Sequence, residues 1–258
     1  ARDYVLYREE RKRMRSEKVE APREEHPEIR IARGDGSKEP LDVGRLKTVI
    51  TEACDGLTDV DGETVLQETL KNLYDGVTQH DVNTALIMSA RTMVEKEPNY
   101  TYVTARLLLD DIRAKALKRL EVAEKATQLE MESLYPSALK AFLELAVESE
   151  LVSKDLLEYD LDRMAGALIA DRDSQFTYLG LQTLYDRYFI HKDDVRIELP
   201  QVFFMRIAMG LALREENREE RAIEFYQLLS SFDYMASTPT LFTSGTLKSQ
   251  LSSCYLTT

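Results

Sequence analysis

One stretch restricts the fold of this chain more than any other: "IRIARGDGSKEPLDVGRL", residues 29–46. Ile29, Ile31 and Arg33 lead into a Gly-Asp-Gly turn, and Leu41 and Val43 lead out of it. The period of two around such a turn is the signature of a β-hairpin. The segments that follow carry apolar residues at helical spacing instead. A lone hairpin cannot bury its face on a second sheet, so it must lie as a lid on helices, and the core must be helix on helix.

Four helices are predicted behind the lid. "RLKTVITEACDGL" is apolar at Leu46, Val49, Ile50 and Ala53, with Cys54 read as a buried core thiol in the same helix. "ETVLQETLKNLYDGV" supplies a second. A third starts at "TQHD", where Thr78 and Asp81 can cap each other, and runs to Pro98. The fourth, "TARLLLDDIRAKAL", sets Ala105, Leu108, Leu109, Ile112 and Ala116 on one face. Residues 29–120 therefore form one compact unit.

The helical pattern continues from 121 to 235. Pro136 and Pro200 stand near helix starts. Phe204, Ile207, Ala208 and Leu211 form one stripe, Ala222, Phe225, Tyr226 and Leu229 another, and Asn217 with Glu220 gives the latter a capping signature. After Ser237 the pattern changes. "STPTLFTSGTLKSQLSSCYLTT" is rich in Thr, Ser and Leu and predicts extended strands joined by a loop. A helical approach running into strands, from 236 to 258, is expected where an α/β domain begins. The chain reads as a piece of a larger protein. "ARDYVLYREERKR" at its start echoes "ARLLLDDIRAK" at 105–115, so residues 1–28 are expected to hold the tail of a preceding copy of the 29–120 unit and a charged linker.

Charge narrows the function classes. The formal net charge is −12, and beyond residue 30 there are 25 Lys/Arg against 38 Asp/Glu. That balance argues against nucleic acid as a partner. No apolar run reaches the length of a membrane span. Two cysteines 200 positions apart, Cys54 and Cys254, indicate neither a zinc knuckle nor a disulfide framework, and point to a reducing cytoplasm. His26, His80 and His191 show no ligand spacing, and no metal site is expected. Asp171 and Asp173 bracket Arg172 as either paired acids or a charge cluster at a helix start. "RGDGS" is either a phosphate cradle of backbone N–H groups or a plain turn. Cys254 in "SSC" offers a thiol able to give hydrogen atoms or electrons, though spacing alone favours a buried structural cysteine.

Three longer stretches carry a resemblance. "RDSQFTYLGLQTLYDRYFIHK", "ELPQVFFMRIAMGLAL" and "FDYMASTPTLFTSGTLKSQLSSCYLTT" resemble the N-terminal part of the class I ribonucleotide reductase large subunit. "DGS", "LYDGV" and "YVTARLLL" within 29–120 resemble its ATP-cone domain. The resemblance implies a mainly α fragment: an ATP-cone, then a helical region, then the first strand of a ten-stranded α/β barrel. It implies reduction of ribonucleoside diphosphates to deoxyribonucleoside diphosphates by radical chemistry with a redox-active cysteine pair. Cys254 matches the reducing cysteine, Ser253 a substrate-contacting serine and Thr238 a substrate-phosphate contact. The paired redox cysteine, the thiyl-radical cysteine and the catalytic Glu and Asn belong to later sequence, so this piece alone is expected to be inactive. Implied partners are the small (beta) subunit, which holds the radical cofactor, further copies of the large subunit in a homodimer or larger oligomer, and thioredoxin or glutaredoxin as reductant. ATP and dATP are implied as effectors, with Arg33, Asp35, Gly36, Ser37 and Asn83 at their site.

The cone departs from the family's pattern at that site. Arg33 and Gly34 stand where Lys-Arg is usual, Asn83 replaces a His, and Ala114 replaces a Lys. Each charge-assisted bond lost to a triphosphate is worth roughly 1.5–3 kcal/mol, so this cone is expected to be degenerate as a switch. A competing reading is a non-enzymatic nucleotide-sensing module, since ATP-cones also occur in a repressor family. That family carries a Cys-rich zinc ribbon before its cone, and this chain has no CxxC. A purely structural helical adaptor is a third reading, and it predicts nothing special about "SSCYL".

Overall fold

A computed structural model describes residues 29–34 and 36–254. The expected upstream-cone tail and linker at 1–28, with His26, lie outside the described residues, as do Asp35 and 255–258.

The hairpin is present. β1 (Arg30–Ala32) pairs antiparallel with β2 (Lys38–Pro40) in the register Ile31↔Glu39. The turn closes through Arg33 N–H to the Ser37 carbonyl (2.8 Å) and Gly36 N–H to the Arg33 carbonyl (3.0 Å). Gly36 has φ +83°, a conformation that suits glycine. The outgoing strand is shorter than the alternation implies. Leu41 N–H still bonds the Ile29 carbonyl, but Asp42 then accepts from Arg45 N–H (2.8 Å) and caps α1 (Val43–Cys54), so Val43 is helical.

α2 (Gly62–Lys71) follows, and beyond it a strand that the sequence reading missed. β3 (Val77–Thr78) runs parallel to β1, giving the sheet order β2-β1-β3. Two residues are too few for a periodicity to show. α3 (Gln79–Thr92) is capped as predicted, with Thr78 Oγ1 accepting from Asp81 N–H (3.2 Å) and donating to the Asp81 carboxylate (2.7 Å). It stops at Thr92, short of Pro98, because Met93, Val94 and Lys96 turn back onto carbonyls three residues earlier.

α4 (Tyr100–Arg119) is the long helix of the first unit. Its predicted face is buried, and so are Val103, Leu107, Asp111, Arg113 and Leu117 around the rest of the helix. α1 and α3 cover one side. α7 (Tyr178–Arg187) covers another. One apolar stripe in the sequence understates a helix wedged between two layers.

The second layer contains α5 (Met131–Glu148), with Pro136 inside its second turn, and the short α6 (Leu161–Gly166). After α7, a small hairpin of β4 (His191–Lys192) and β5 (Val195–Arg196) leads to α8 (Pro200–Ala212), where Pro200 opens the helix. Residues 200–209 of α8 are all buried, and Phe203 and Phe204 pack with Phe176, Phe189 and Phe232. A fully buried Phe contributes about 1.5–3 kcal/mol, so this cluster anchors the layer. α9 (Arg218–Ser230) lies along α8. Asn217 holds its cap position, but its side chain makes no capping bond, contrary to the Asn217–Glu220 signature.

The last segment is the main correction. Thr238–Thr243 is a helix, α10, with Pro239 in its first turn. No strand forms between Ser237 and Cys254, apart from an isolated bridge of Thr246 to Val152. Proline pre-sets helical φ at a first turn, and here that outweighs the β-preference of the threonines around it. Among the described residues no helix is long and apolar enough to cross a membrane.

Candidate functional site

The threonines of α10 hold the chain that follows them. Thr240 Oγ1 donates to the Leu251 carbonyl (3.1 Å), and Thr243 Oγ1 accepts from Gln250 N–H (2.9 Å) and lies 2.8 Å from the Gln250 carbonyl. These bonds bring the 249–254 stretch back beside α10. Ser253 and Cys254 are exposed on this folded-back stretch, and Thr238 is exposed at the start of α10. The Ser253 hydroxyl lies 3.9 Å from the Cys254 sulfur. Thr238 Oγ1 is 3.2 Å from Tyr188 Oη, and the Tyr188 ring stacks on Phe242 at 4.5 Å. Tyr188 caps the end of α7, fifty positions away, and no motif or spacing marks it.

Beneath the segment sits an ion pair that sequence reasoning also missed. Glu198 and Arg206 are both fully buried. Arg206 Nε donates to one Glu198 oxygen (2.6 Å) and Nη2 to the other (3.3 Å). The same guanidinium donates to the carbonyls of Ser244 (2.6 Å) and Leu241 (3.3 Å). Ser244 Oγ bonds the Ile207 carbonyl (2.8 Å). A Cβ on Gly210 would fall 2.2 Å from Gly245 N, so α8 and the loop touch backbone to backbone.

A second buried network joins the two layers. Asp173, 1% exposed, accepts from Arg113 Nη2 (2.9 Å), Tyr135 Oη (2.6 Å) and Gln201 Nε2 (2.8 Å). Gln201 Oε1 in turn accepts from Tyr226 Oη (2.7 Å). Burial, with Asp173 adding to it, pushes the Tyr135 hydroxyl well above its ordinary range. Asp173 is therefore neither half of an acid pair with exposed Asp171 nor a simple helix-start charge. It is the counter-ion of Arg113.

At the cone, the candidate effector residues do not converge as free donors. Arg33 pairs with Glu39 across the hairpin. Asn83 Nδ2 donates to Asp111 (2.8 Å) and its Oδ1 accepts from Gln79 (2.8 Å), while Lys115 Nζ bonds Asp111 at 2.6 Å. Gly36 and Ser37 lie in the hairpin turn. Asp75 accepts from Arg30 Nε (3.0 Å) and Lys38 Nζ (2.8 Å), and these bonds hold its carboxyl far below the usual range. A triphosphate would have to displace these carboxylates from their cations, so the residues present fit it poorly. Cys54 closes α1 half-buried, not in the core. Burial, with Asp61 adding, pushes its thiol up to about 11. His80 and His191 are exposed, and among the described residues no group of three His, Cys, Asp or Glu could hold a metal.

The two halves match two domain families. Residues 29–115 match the ATP cone domain, and residues 174–249 the ribonucleotide reductase all-alpha domain. The chain is 42% identical over 266 residues to the ribonucleoside-diphosphate reductase subunit alpha of Chlamydia muridarum, covering all of this chain and 25% of that protein. It is 34% identical to the subunit alpha of Helicobacter pylori 26695 and 29% to the large subunit of Danio rerio, each match covering 88% of this chain and 28% of the relative. An ATP cone followed by the reductase's helical domain defines the class. The chain belongs to the ribonucleotide reductase large-subunit family, and spans about a quarter of the length of the curated relatives it matches.

Proposed function

We propose that this chain is part of the large subunit of a cytoplasmic ribonucleoside-diphosphate reductase, which reduces ribonucleoside diphosphates to deoxyribonucleoside diphosphates for DNA synthesis. The observation that carries this is the return of the 249–254 stretch onto α10, with Thr238 exposed at the start of that helix and Ser253 and Cys254 exposed on the returning stretch. Thr238 contacts a substrate phosphate, Ser253 contacts the substrate, and Cys254 is the reducing thiol. Cys254 and a second cysteine lose two hydrogens and become a disulfide; one hydrogen leaves with the 2′-hydroxyl as water and the other takes its place on C2′. Thioredoxin or glutaredoxin then restores the dithiol. The radical is supplied by the small subunit.

The domain reading is a cone over 29–120, a helical region over 121–235 and the start of a catalytic barrel from 236 to 258. The large subunit works as a homodimer or larger oligomer, without nucleic acid or membrane. An ATP cone is a nucleotide-effector fold, but this copy binds ATP and dATP weakly, because its cations are held by Glu39, Asp75 and Asp111. A nucleotide-sensing module without catalysis is disfavoured by the match of residues 174–249 to the reductase domain. The test is the full-length protein mixed with its small subunit, a dithiol reductant and cytidine diphosphate. Deoxycytidine diphosphate is expected. Nucleotide binding without any product would support the sensing module instead.

A further inference from the structure

The ion pair of Glu198 and Arg206 is unusual in being fully buried among apolar side chains of α8 and its neighbours. Taking two charges out of water is costly, and a well-packed apolar pair often holds a core as well or better. The pair therefore calls for a role besides core stability.

Its geometry supplies one. Two of the guanidinium's contacts go to Glu198, which is itself fixed by Ile190 N–H (3.0 Å), and two go to the carbonyls of Leu241 and Ser244. Those carbonyls lie toward the end of α10, whose first residue is Thr238. The Ser244 hydroxyl and the Gly210–Gly245 contact fix the same end. Thr238 itself, at the exposed end, has its hydroxyl near Tyr188. The helix is a rigid rod of about 9 Å, so the buried end determines where the exposed end stands.

We propose that Glu198 and Arg206 are positioning residues that set the place of Thr238 and thereby the affinity of the enzyme for its diphosphate substrate. The proposal rests on the reading of Thr238 as a phosphate contact. Arginine suits the task because its planar fork reaches a carboxylate and two carbonyls at once, whereas lysine is a point charge on a flexible stem.

The test uses the full-length enzyme with its small subunit. Equilibrium binding of cytidine diphosphate, KM, kcat and melting temperature are measured for Thr238→Ala, Arg206→Lys, Glu198→Gln/Arg206→Met, and Thr238→Ala combined with Arg206→Lys. Thr238→Ala is expected to weaken substrate binding. Arg206→Lys and the paired variant are expected to raise Kd and KM roughly ten- to a hundred-fold, the size of losing one hydrogen bond to a charged phosphate, while kcat at saturating substrate falls far less. In the combined variant the Arg206→Lys effect should vanish, because the group it positions is gone. Wild-type affinity in Arg206→Lys and the paired variant, beside a loss in Thr238→Ala, would overturn the proposal and leave the phosphate reading intact. So would additive effects in the combined variant, or a fold lost in both Arg206 variants, which would make the pair a stability element. No effect of Thr238→Ala would remove the phosphate reading, and the proposal with it.

Discussion

Replacing Asp173 with alanine should be among the most damaging single changes in the helical layer. The carboxylate is buried and receives Arg113, Tyr135 and Gln201. Its removal strands a guanidinium that is itself only 3% exposed. Breaking a buried ion pair from one side costs about 3–5 kcal/mol, and the tyrosine and glutamine donors left without a partner add to that. For a chain of this size each kcal/mol moves the midpoint by roughly 2–4 °C, so a loss of about 6–20 °C is expected. Asp173→Asn keeps an acceptor for Tyr135 or Gln201 and should lose less. Asp162→Ala is the control: that carboxylate pairs with Lys140 but is 89% exposed, and surface pairs contribute about 0–1 kcal/mol. Scanning calorimetry of the three variants decides the matter. A midpoint for Asp173→Ala within a few degrees of the Asp162→Ala control would refute the assignment of Asp173 as the counter-ion tying α4 to α5 and α8.

Other outcomes follow from the same contacts. Gly210→Ala should destabilise by about 1–3 kcal/mol through overpacking against Gly245, whereas Gly166→Ala, with open space around it, should be neutral or slightly stabilising in the same melts. Cys54 is held neutral up to about 11 by burial, above its unfolded value of about 8.5. Its contribution is therefore complete below pH ~8.5 and lost as pH rises toward 11; a Cys54→Ser variant should show a shallower loss of stability over that window in denaturant titrations, and exposed Cys254 should react with iodoacetamide at pH 8 well before Cys54. Calorimetric titration with ATP or dATP should give weak binding at the 29–120 cone, and a low-micromolar dissociation constant would show that Glu39, Asp75 and Asp111 release their cations to a phosphate.

What the sequence revealed and what it hid divide along physical lines. Features set by neighbours in the chain were legible: the turn at Gly36, the mutual cap of Thr78 and Asp81, and the apolar face of α4. Features set by distant residues were not. β3 is two residues long and exists only because β1 lies beside it. The threonines at 240 and 243 read as strand formers, yet they bond the backbone at Leu251 and Gln250, and Pro239 opens a helix there. Asp173 read as half of an acid pair or a charge at a helix start, because its partner Arg113 lies sixty positions away, and Glu198 and Arg206 drew no reading, because their burial depends on carbonyls about forty positions away at Leu241 and Ser244. The resemblance to the reductase offered Thr238, Ser253 and Cys254 as candidates, but not Tyr188 or the ion pair beneath α10.

The central claim is that Cys254 is the reducing thiol of a ribonucleoside-diphosphate reductase, and one measurement tests it most directly. Cys254→Ser in the full-length protein preserves size but removes the ability to form a disulfide. With the small subunit and a dithiol reductant, its diphosphate reduction should collapse while effector binding and assembly with the small subunit persist, and Cys54→Ser should keep most of its turnover. Near wild-type turnover in the Cys254→Ser enzyme would contradict the account.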